Sequence, residues 1–111
     1  MEILATTLKR CDMVKISGRV DSSTSPELRD VFQKIMDEGR FRIVADMEDV
    51  EFISSSGLWV LIETQKTCKR WNRGEIVLAG LNEKISYSLE IAGLSDLFKK
   101  YEDTTAAVGD F

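Results

Sequence analysis

The stretch Phe52-Ile53-Ser54-Ser55-Ser56-Gly57-Leu58 joins a predicted buried strand to a predicted amphipathic helix. The strand covers residues 41–46 and is followed by an acidic loop, and the helix runs over about residues 58–71. Serine hydroxyls at a helix start can accept hydrogen bonds from the unpaired backbone N–H groups there. The same N–H groups can also hold a phosphate. The three serines therefore have two possible roles, as caps of the helix or as the site of a switch.

The composition indicates one soluble globular domain. The chain has 111 residues, of which 43% are hydrophobic and 31% are charged, enough for one buried core. Its net charge of −4 disfavours nucleic acid and anionic membranes as partners, because both need a clustered basic face. No signal peptide follows Met1, so we expect a cytoplasmic protein. Cys11 and Cys68 lack metal or redox spacing and are predicted to be free thiols.

The histidine count is zero, which excludes Ser-His and Cys-His nucleophile pairs and histidine metal ligands. Ser56 would then need a lysine or a carboxylate as its base, and the surrounding sequence matches neither a G-x-S-x-G elbow nor a phosphate-binding loop. We therefore expect no catalytic activity, no cofactor and no metal site.

Hydrophobic periodicity predicts five strands, at residues 3–8, 13–20, 41–46 and 75–79 and near 97–101. Three longer helices are predicted at about residues 24–38, 58–71 and 82–92, with a brief last helix that Asp103 caps and that runs through Val108. At the first helix, Thr24 and Glu27 form a capping box, or Ser25 is the cap and Pro26 takes the first helical position. Val50 and Phe52 are expected in a loop, and Trp71 is expected to pack.

The middle of the chain alternates strand and helix, which predicts parallel strands joined by right-handed crossovers. Two hydroxyl-rich loops, at residues 19–24 and 47–55, then leave their strands at the same edge of the sheet. Asp21 lies in the first of these loops and Ser56 follows the second. Aspartate in such a turn often bonds local backbone N–H groups, and the alternative is that Asp21 lies beside Ser56 in a functional site.

A phosphate on Ser56 would add about −1.5 to −2 charges, which a helix N-terminus tolerates. Phosphorylation would then alter docking without unfolding the domain. The other interpretation is that Ser54 or Ser55 caps the helix and that Ser56 is an ordinary residue of its first turn.

Residues 49–58 resemble the signature of the STAS domain, and more closely that of the bacterial anti-sigma factor antagonists. Residues 18–21 with Thr24, Glu27 and Leu28, and the segments 39–46, 75–79 and 91–94, resemble other characteristic stretches of the family. The resemblance implies an α/β fold, with a small mixed sheet of four to five strands, parallel core strands and flanking helices. It covers nearly the whole chain and implies one STAS domain over residues 1–111.

The resemblance also implies a function. Such proteins bind an anti-sigma factor, often a serine kinase, and so release a sigma factor. The kinase modifies the serine just before the motif glycine, which is Ser56 here, and a serine phosphatase reverses this. The implied partner surface consists of Asp21, Ser23, Thr24, Ser54, Ser55, Gly57, Leu58 and Trp59, with Ser55 helping to fix the loop.

Two positions depart from the family pattern. Ser54 stands where relatives commonly carry aspartate, which removes a negative charge and a strong N-cap acceptor. Trp59 stands where relatives often have a small residue, and it either covers neighbouring side chains or is an exposed interface anchor. The alternative function is a STAS interaction module that is not phosphorylated and acts in a stress-signalling scaffold or with a transporter or lipid system.

Overall fold

The computed structural model describes all residues from Met1 to Phe111. The strands are β1 (Glu2–Thr7), β2 (Asp12–Val20), β3 (Arg42–Ile53), β4 (Glu75–Ala79) and β5 (Lys100–Tyr101). The α-helices are α1 (Ser25–Asp37), α2 (Ser55–Lys69), α3 (Glu83–Ile91) and α4 (Thr104–Gly109). The five strands lie side by side in chain order, with β1 antiparallel to β2 and all other neighbours parallel. The predicted mixed α/β sheet is confirmed.

Side chains alternate between the two faces of the sheet, so each parallel strand contributes to two cores. The larger core lies under α1, α2 and α3 and takes Ile43, Ala45 and Met47 from β3. The smaller core takes Val44 from β3 and is covered by Ala107 of α4. None of the helices combines the length and the hydrophobicity that a membrane-spanning helix needs.

Strand β3 is longer than its sequence predicts. The predicted loop over residues 47–55 is wrong, because β3 continues to Ile53 by pairing with β2, where Gly18 lies opposite Val50 and Val20 opposite Ile53. Two register shifts accommodate this pairing, one between Lys15 and Ser17 and one between Gly18 and Arg19. Acidic residues interrupt the apolar pattern of this segment, so only the pairing with β2 identifies it as strand.

Helix α1 begins at Ser25, with Pro26 in its first turn. The predicted capping box is wrong, because the Thr24 side chain accepts no hydrogen bond from the helix. Its hydroxyl instead donates to the Arg19 carbonyl at 3.0 Å and accepts from the Asp21 N–H at 2.9 Å. Thr24 thus holds together the turn between β2 and α1.

Helix α2 begins three residues earlier than predicted and ends at Lys69. Its buried face includes Val60 and Thr64, and Leu58 and Ile62 are half-buried. Trp71 follows the helix in the left-handed region at φ 62° and is 83% exposed, so its predicted packing role is wrong. The Trp71 side chain therefore lies outside both cores.

Helix α3 buries Ile85 and Leu89, and Ala92 lies just beyond its end and is exposed. Asp103 caps α4 as predicted, accepting from the Ala106 N–H at 2.8 Å. Cys11 and Cys68 are free and buried. Burial raises the pKa of the Cys68 thiol to about 11, so this thiol is a core residue and not a reactive group.

Candidate functional site

The two hydroxyl-rich segments meet at the carboxyl ends of β2 and β3. The Ser54 N–H donates to the Val20 carbonyl at 2.8 Å, which joins the end of β3 to the end of β2. The turn that leads into α1 follows β2, and α2 follows β3. The predicted juxtaposition at one edge of the sheet is therefore present, and we call it the serine edge, defined by residues 21–25 and 54–59.

Ser54 is the N-cap of α2. Its backbone is extended (φ −85°, ψ 173°), and its Oγ accepts from the Gly57 N–H at 3.3 Å. The same Oγ lies 2.7 Å from Ser56 Oγ, and either hydroxyl can be the donor. Ser55 is exposed and Ser56 is half-buried. The hydroxyl that bonds Ser56 is thus that of Ser54, whereas the resemblance implied that Ser55 is the neighbouring hydroxyl that helps to fix the loop.

Gly57 allows α2 to rest directly on the strand ends. It is buried, and a Cβ at this position would lie 2.7 Å from Ile53 Cγ1 and 2.8 Å from Val20 Cγ1. Both distances are shorter than carbon atoms tolerate, and its φ is not in the left-handed region. Glycine is needed here for close packing, which keeps Ser56 near the end of the sheet.

Asp21 forms a local turn. Its carboxylate accepts from the Ser23 hydroxyl at 2.7 Å and from the Ser23 and Thr24 N–H groups at 3.0 and 3.2 Å. The Ser23 hydroxyl is the main cause that lowers the Asp21 pKa below its usual 3.8. Asp21 shares the serine edge with Ser56, but its hydrogen bonds remain within its own turn. The position of Asp21 is thus compatible with both expected roles, which are to bond local backbone N–H groups and to lie beside Ser56 in a functional site.

A groove of about 310 Å³ runs between the starts of α1 and α2. Its lining residues are Ser25, Pro26, Arg29, Ser56, Trp59, Val60 and Glu63. Trp59 is 56% exposed, and Lys66 Nζ lies 5.9 Å from its ring centroid. Of the two interpretations of Trp59, the exposed one agrees with the structure.

Pro26 and Arg29 were not among the residues predicted for this surface. They are one turn apart on α1, a spacing that places them on one side of the helix. Only the packing of α1 against α2 brings that side next to Ser56. Leu58, which was predicted to contact a partner, is half-buried and packs against the larger core. No group of three or more His, Cys, Asp or Glu side chains is arranged to hold a metal ion.

The sequence and the architecture are both similar to those of known proteins. A family model described as the STAS domain matches residues 2–107. The anti-sigma-B factor antagonist of Staphylococcus aureus strain NCTC 8325 is 32% identical over 104 residues, which cover 94% of this chain and 95% of the relative.

Two solved structures show the same fold at lower identity. An anti-sigma factor antagonist from Mycobacterium paratuberculosis superimposes with a TM-score of 0.87 at 22% identity, over 98% of this chain and 92% of the other. The Bacillus cell fate determinant SpoIIAA in its phosphorylated form gives a TM-score of 0.77 at 14% identity, over 98% of both chains.

Proposed function

The chain belongs to the STAS domain family, and from that membership we propose that it is an anti-sigma factor antagonist. It binds an anti-sigma factor through the serine edge and thereby releases a sigma factor. The observation that carries this proposal is the 32% identity to an anti-sigma-B factor antagonist, which extends over 94% of this chain. Because the match includes both strands and both helices of the serine edge, it covers the whole surface that would dock.

The shape of the serine edge supports docking of a protein. Trp59 exposes more than half of its surface beside the groove between α1 and α2. Tryptophan and arginine are enriched among the residues that dominate binding energy at interfaces, and Arg29 lines the same groove. Glu63 adds a charge of opposite sign to Arg29, so the groove can select its partner by charge as well as by shape.

We further propose that Ser56 is phosphorylated and that the modification switches docking off. Its hydroxyl makes one side-chain hydrogen bond, to Ser54, and losing such a bond costs about 0.5–1.5 kcal/mol. A negative charge in the first turn of a helix returns about 0.3–1 kcal/mol. The two effects nearly cancel, so the modified domain stays folded while its docking surface gains charge and bulk.

The contacts of Ser56 also favour a phosphate acceptor over an enzymatic nucleophile. Its partner is the hydroxyl of Ser54, which is too weak a base to remove its proton. An external kinase brings its own base and its own nucleotide. We therefore propose two partners. One is an anti-sigma factor that is also a serine kinase, and the other is a serine phosphatase that restores the hydroxyl. In this proposal the chain acts in the cytoplasm and has no enzymatic activity of its own.

Phosphorylation is tested by incubating the purified chain with ATP and the anti-sigma kinase encoded in the same genome, followed by peptide mass spectrometry. We expect one phosphate, on Ser56, and none in Ser56→Ala. Ser55→Ala is the matched control, because it removes an exposed neighbouring hydroxyl, and it should still be modified. Phosphate on Ser55, or modification that persists in Ser56→Ala, contradicts the switch.

Docking is tested separately, by calorimetric titration of the unmodified chain into the same anti-sigma factor. We expect a one-to-one complex that Trp59→Ala weakens by at least tenfold. A control variant, Tyr87→Ala, removes an exposed aromatic side chain of α3 and should bind like the parent chain. An unmodified chain that does not bind the anti-sigma factor would favour the alternative, a STAS module with a different partner.

A further inference from the structure

The edge of the sheet opposite the serine edge carries a basic pocket. It lies where β2 and β3 begin, has a volume of about 200 Å³ and is lined by Arg10, Arg40, Arg42 and Arg73. Its lining includes one carboxylate, that of Asp12. The chain as a whole has a net charge of −4, so the charge of the four guanidinium groups in this pocket is opposite in sign to the net charge of the protein. We call this feature the arginine pocket.

Asp12 neutralises one of the four arginines and no other. Its carboxylate is nearly fully buried and forms an ion pair with Arg40 Nε. Arg40 Nη2 donates to the carbonyls of Leu8 and Cys11 at 2.7 and 3.2 Å. Arg40 is thus a structural residue that closes the base of the pocket, and Arg10, Arg42 and Arg73 have no carboxylate left to pair with there.

Arg42 makes no ion pair or side-chain hydrogen bond within the protein. The residue opposite it in β4 is Glu75, which could have neutralised it. The Glu75 carboxylate is instead held by Lys69 at 4.0 Å and Lys99 at 3.4 Å. All five N–H donors of the Arg42 guanidinium therefore remain available to a ligand.

Arg73 is held in place by contacts that do not neutralise its positive charge. Its guanidinium lies 3.9 Å from the centroid of the Phe41 ring. Its Nε donates to the Arg70 carbonyl at 3.1 Å, and its Nη2 donates to the Thr67 carbonyl at 3.4 Å. Arg10 makes a single long contact, from Nη1 to the Phe111 backbone oxygen at 3.4 Å. The pocket thus combines two guanidinium groups that the protein holds in place, those of Arg40 and Arg73, with two that have one contact or none, those of Arg10 and Arg42.

We propose that the arginine pocket binds a phosphate group, as inorganic phosphate or as the phosphate of a monoester. The planar guanidinium fork matches phosphate oxygens with two parallel hydrogen bonds, and Arg–phosphate contacts of this kind are among the strongest in proteins. The volume suits one phosphate and is smaller than the roughly 300–1,000 Å³ typical of drug-sized ligands. The pocket opens to solvent, so the organic part of an ester can project outward.

The site is tested on the full chain by ¹⁵N NMR titration with sodium phosphate in a buffer free of other oxyanions. We expect saturable shifts of the Cys11, Gly39 and Phe41 amides, which sodium chloride at equal ionic strength does not reproduce. Phenyl phosphate is the second probe. Equal affinity for both probes shows that the site takes monoesters, and binding of phosphate alone shows that it takes the free anion, so both outcomes support the site.

The variants separate a built site from general attraction to positive charge. Arg42→Ala should weaken phosphate binding about tenfold, and the fold should persist because Arg42 has no partner to lose. Arg10→Ala should weaken it as well. Lys84→Ala, on α3 and outside the arginine pocket, changes the net charge by the same amount and should leave the phosphate affinity unchanged. Shifts that do not saturate, that chloride reproduces, or that Arg42→Ala and Lys84→Ala reduce equally would overturn the proposal.

Discussion

Ser54 and Ser56 share one hydrogen bond, and its chemistry differs from that of an aspartate–serine pair. A serine hydroxyl can donate or accept, whereas a carboxylate only accepts. With Ser54 at the cap, the Ser56 hydroxyl can accept this hydrogen bond as well as donate it. A phosphate on Ser56 would lie beside a neutral hydroxyl and not beside a carboxylate. Ser54 thus still acts as the N-cap of α2, but it lacks the negative charge of an aspartate.

Gly57 should be the residue of the serine edge that is most sensitive to substitution. Gly57→Ala places a Cβ within 3 Å of Ile53 and Val20, and overpacking of this kind costs about 1–3 kcal/mol. We expect the free energy of unfolding, measured by urea denaturation, to fall by that amount. Gly109→Ala is the matched control, because nothing lies within 4 Å of the added methyl group, and an equal loss there would contradict the packing explanation.

Asp21 should make stability depend on pH in acid solution. Hydrogen bonds from Ser23 and Thr24 hold its folded pKa below 3.8, so its contribution is present above pH 4 and is lost as the pH falls through the folded pKa. Asp21→Ala should therefore unfold at lower urea concentration than the parent chain at pH 7. The gap between the two midpoints should narrow as the pH falls below 3.8 and through the folded pKa, and a constant gap between them would exclude this origin.

Helix α2 is attached to the sheet at two places. At its start, Gly57 lies against the ends of β2 and β3. In its middle, the buried Gln65 accepts from the Ile76 N–H at 2.9 Å and donates to the Leu97 carbonyl at 2.8 Å. One amide side chain thus joins α2 to the start of β4 and to the turn before β5. This second attachment keeps α2 at a fixed angle behind the serine edge.

Gln65→Leu should be clearly destabilising although the side chains are similar in size. The substitution leaves the Ile76 N–H and the Leu97 carbonyl without their partner, at a cost of about 1–3 kcal/mol for each group that stays buried. We expect a loss of at least about 2 kcal/mol in urea denaturation. Gln33→Leu, on the exposed face of α1, should change stability by less than about 0.5 kcal/mol.

At the scale of the molecule, the two edges of the sheet are chemically distinct. The serine edge presents hydroxyls, Trp59 and the groove between α1 and α2. The arginine pocket occupies the opposite edge, where the strands begin. A ligand at one edge therefore need not obstruct a partner at the other, and the two proposals can be tested independently.

Ser56→Asp should separate docking from folding. A charge at the start of α2 is tolerated by the helix, so we expect a Tm within about 3 °C of the parent by differential scanning calorimetry. Affinity for the anti-sigma factor should fall at least tenfold, since like charges and desolvation at an interface cost several kcal/mol. Ser56→Asn, similar in size but neutral, should bind more tightly than Ser56→Asp. A large loss of stability in both variants would instead indicate that Ser56 serves only the helix.

Much of the serine edge could be predicted from sequence. Alternating strands and helices predicted the parallel sheet, and the motif around Ser56 predicted the family. Such signals are local, because hydrophobic periodicity, caps and glycines act within one or two turns of chain. The end of β3 was not predictable in this way, because its partners lie about 30 residues earlier, in β2.

By itself, then, the sequence determined the order of elements, the presence of a helix directly after the three serines and the STAS signature. The tertiary structure alone decided that the Ser54 hydroxyl holds Ser56 and that Trp59 and Trp71 are exposed. It also assembled the arginine pocket from three segments that are far apart in sequence. The physical reason is that hydrogen-bond partners and burial depend on contacts between distant segments, which exist only after the sheet has formed.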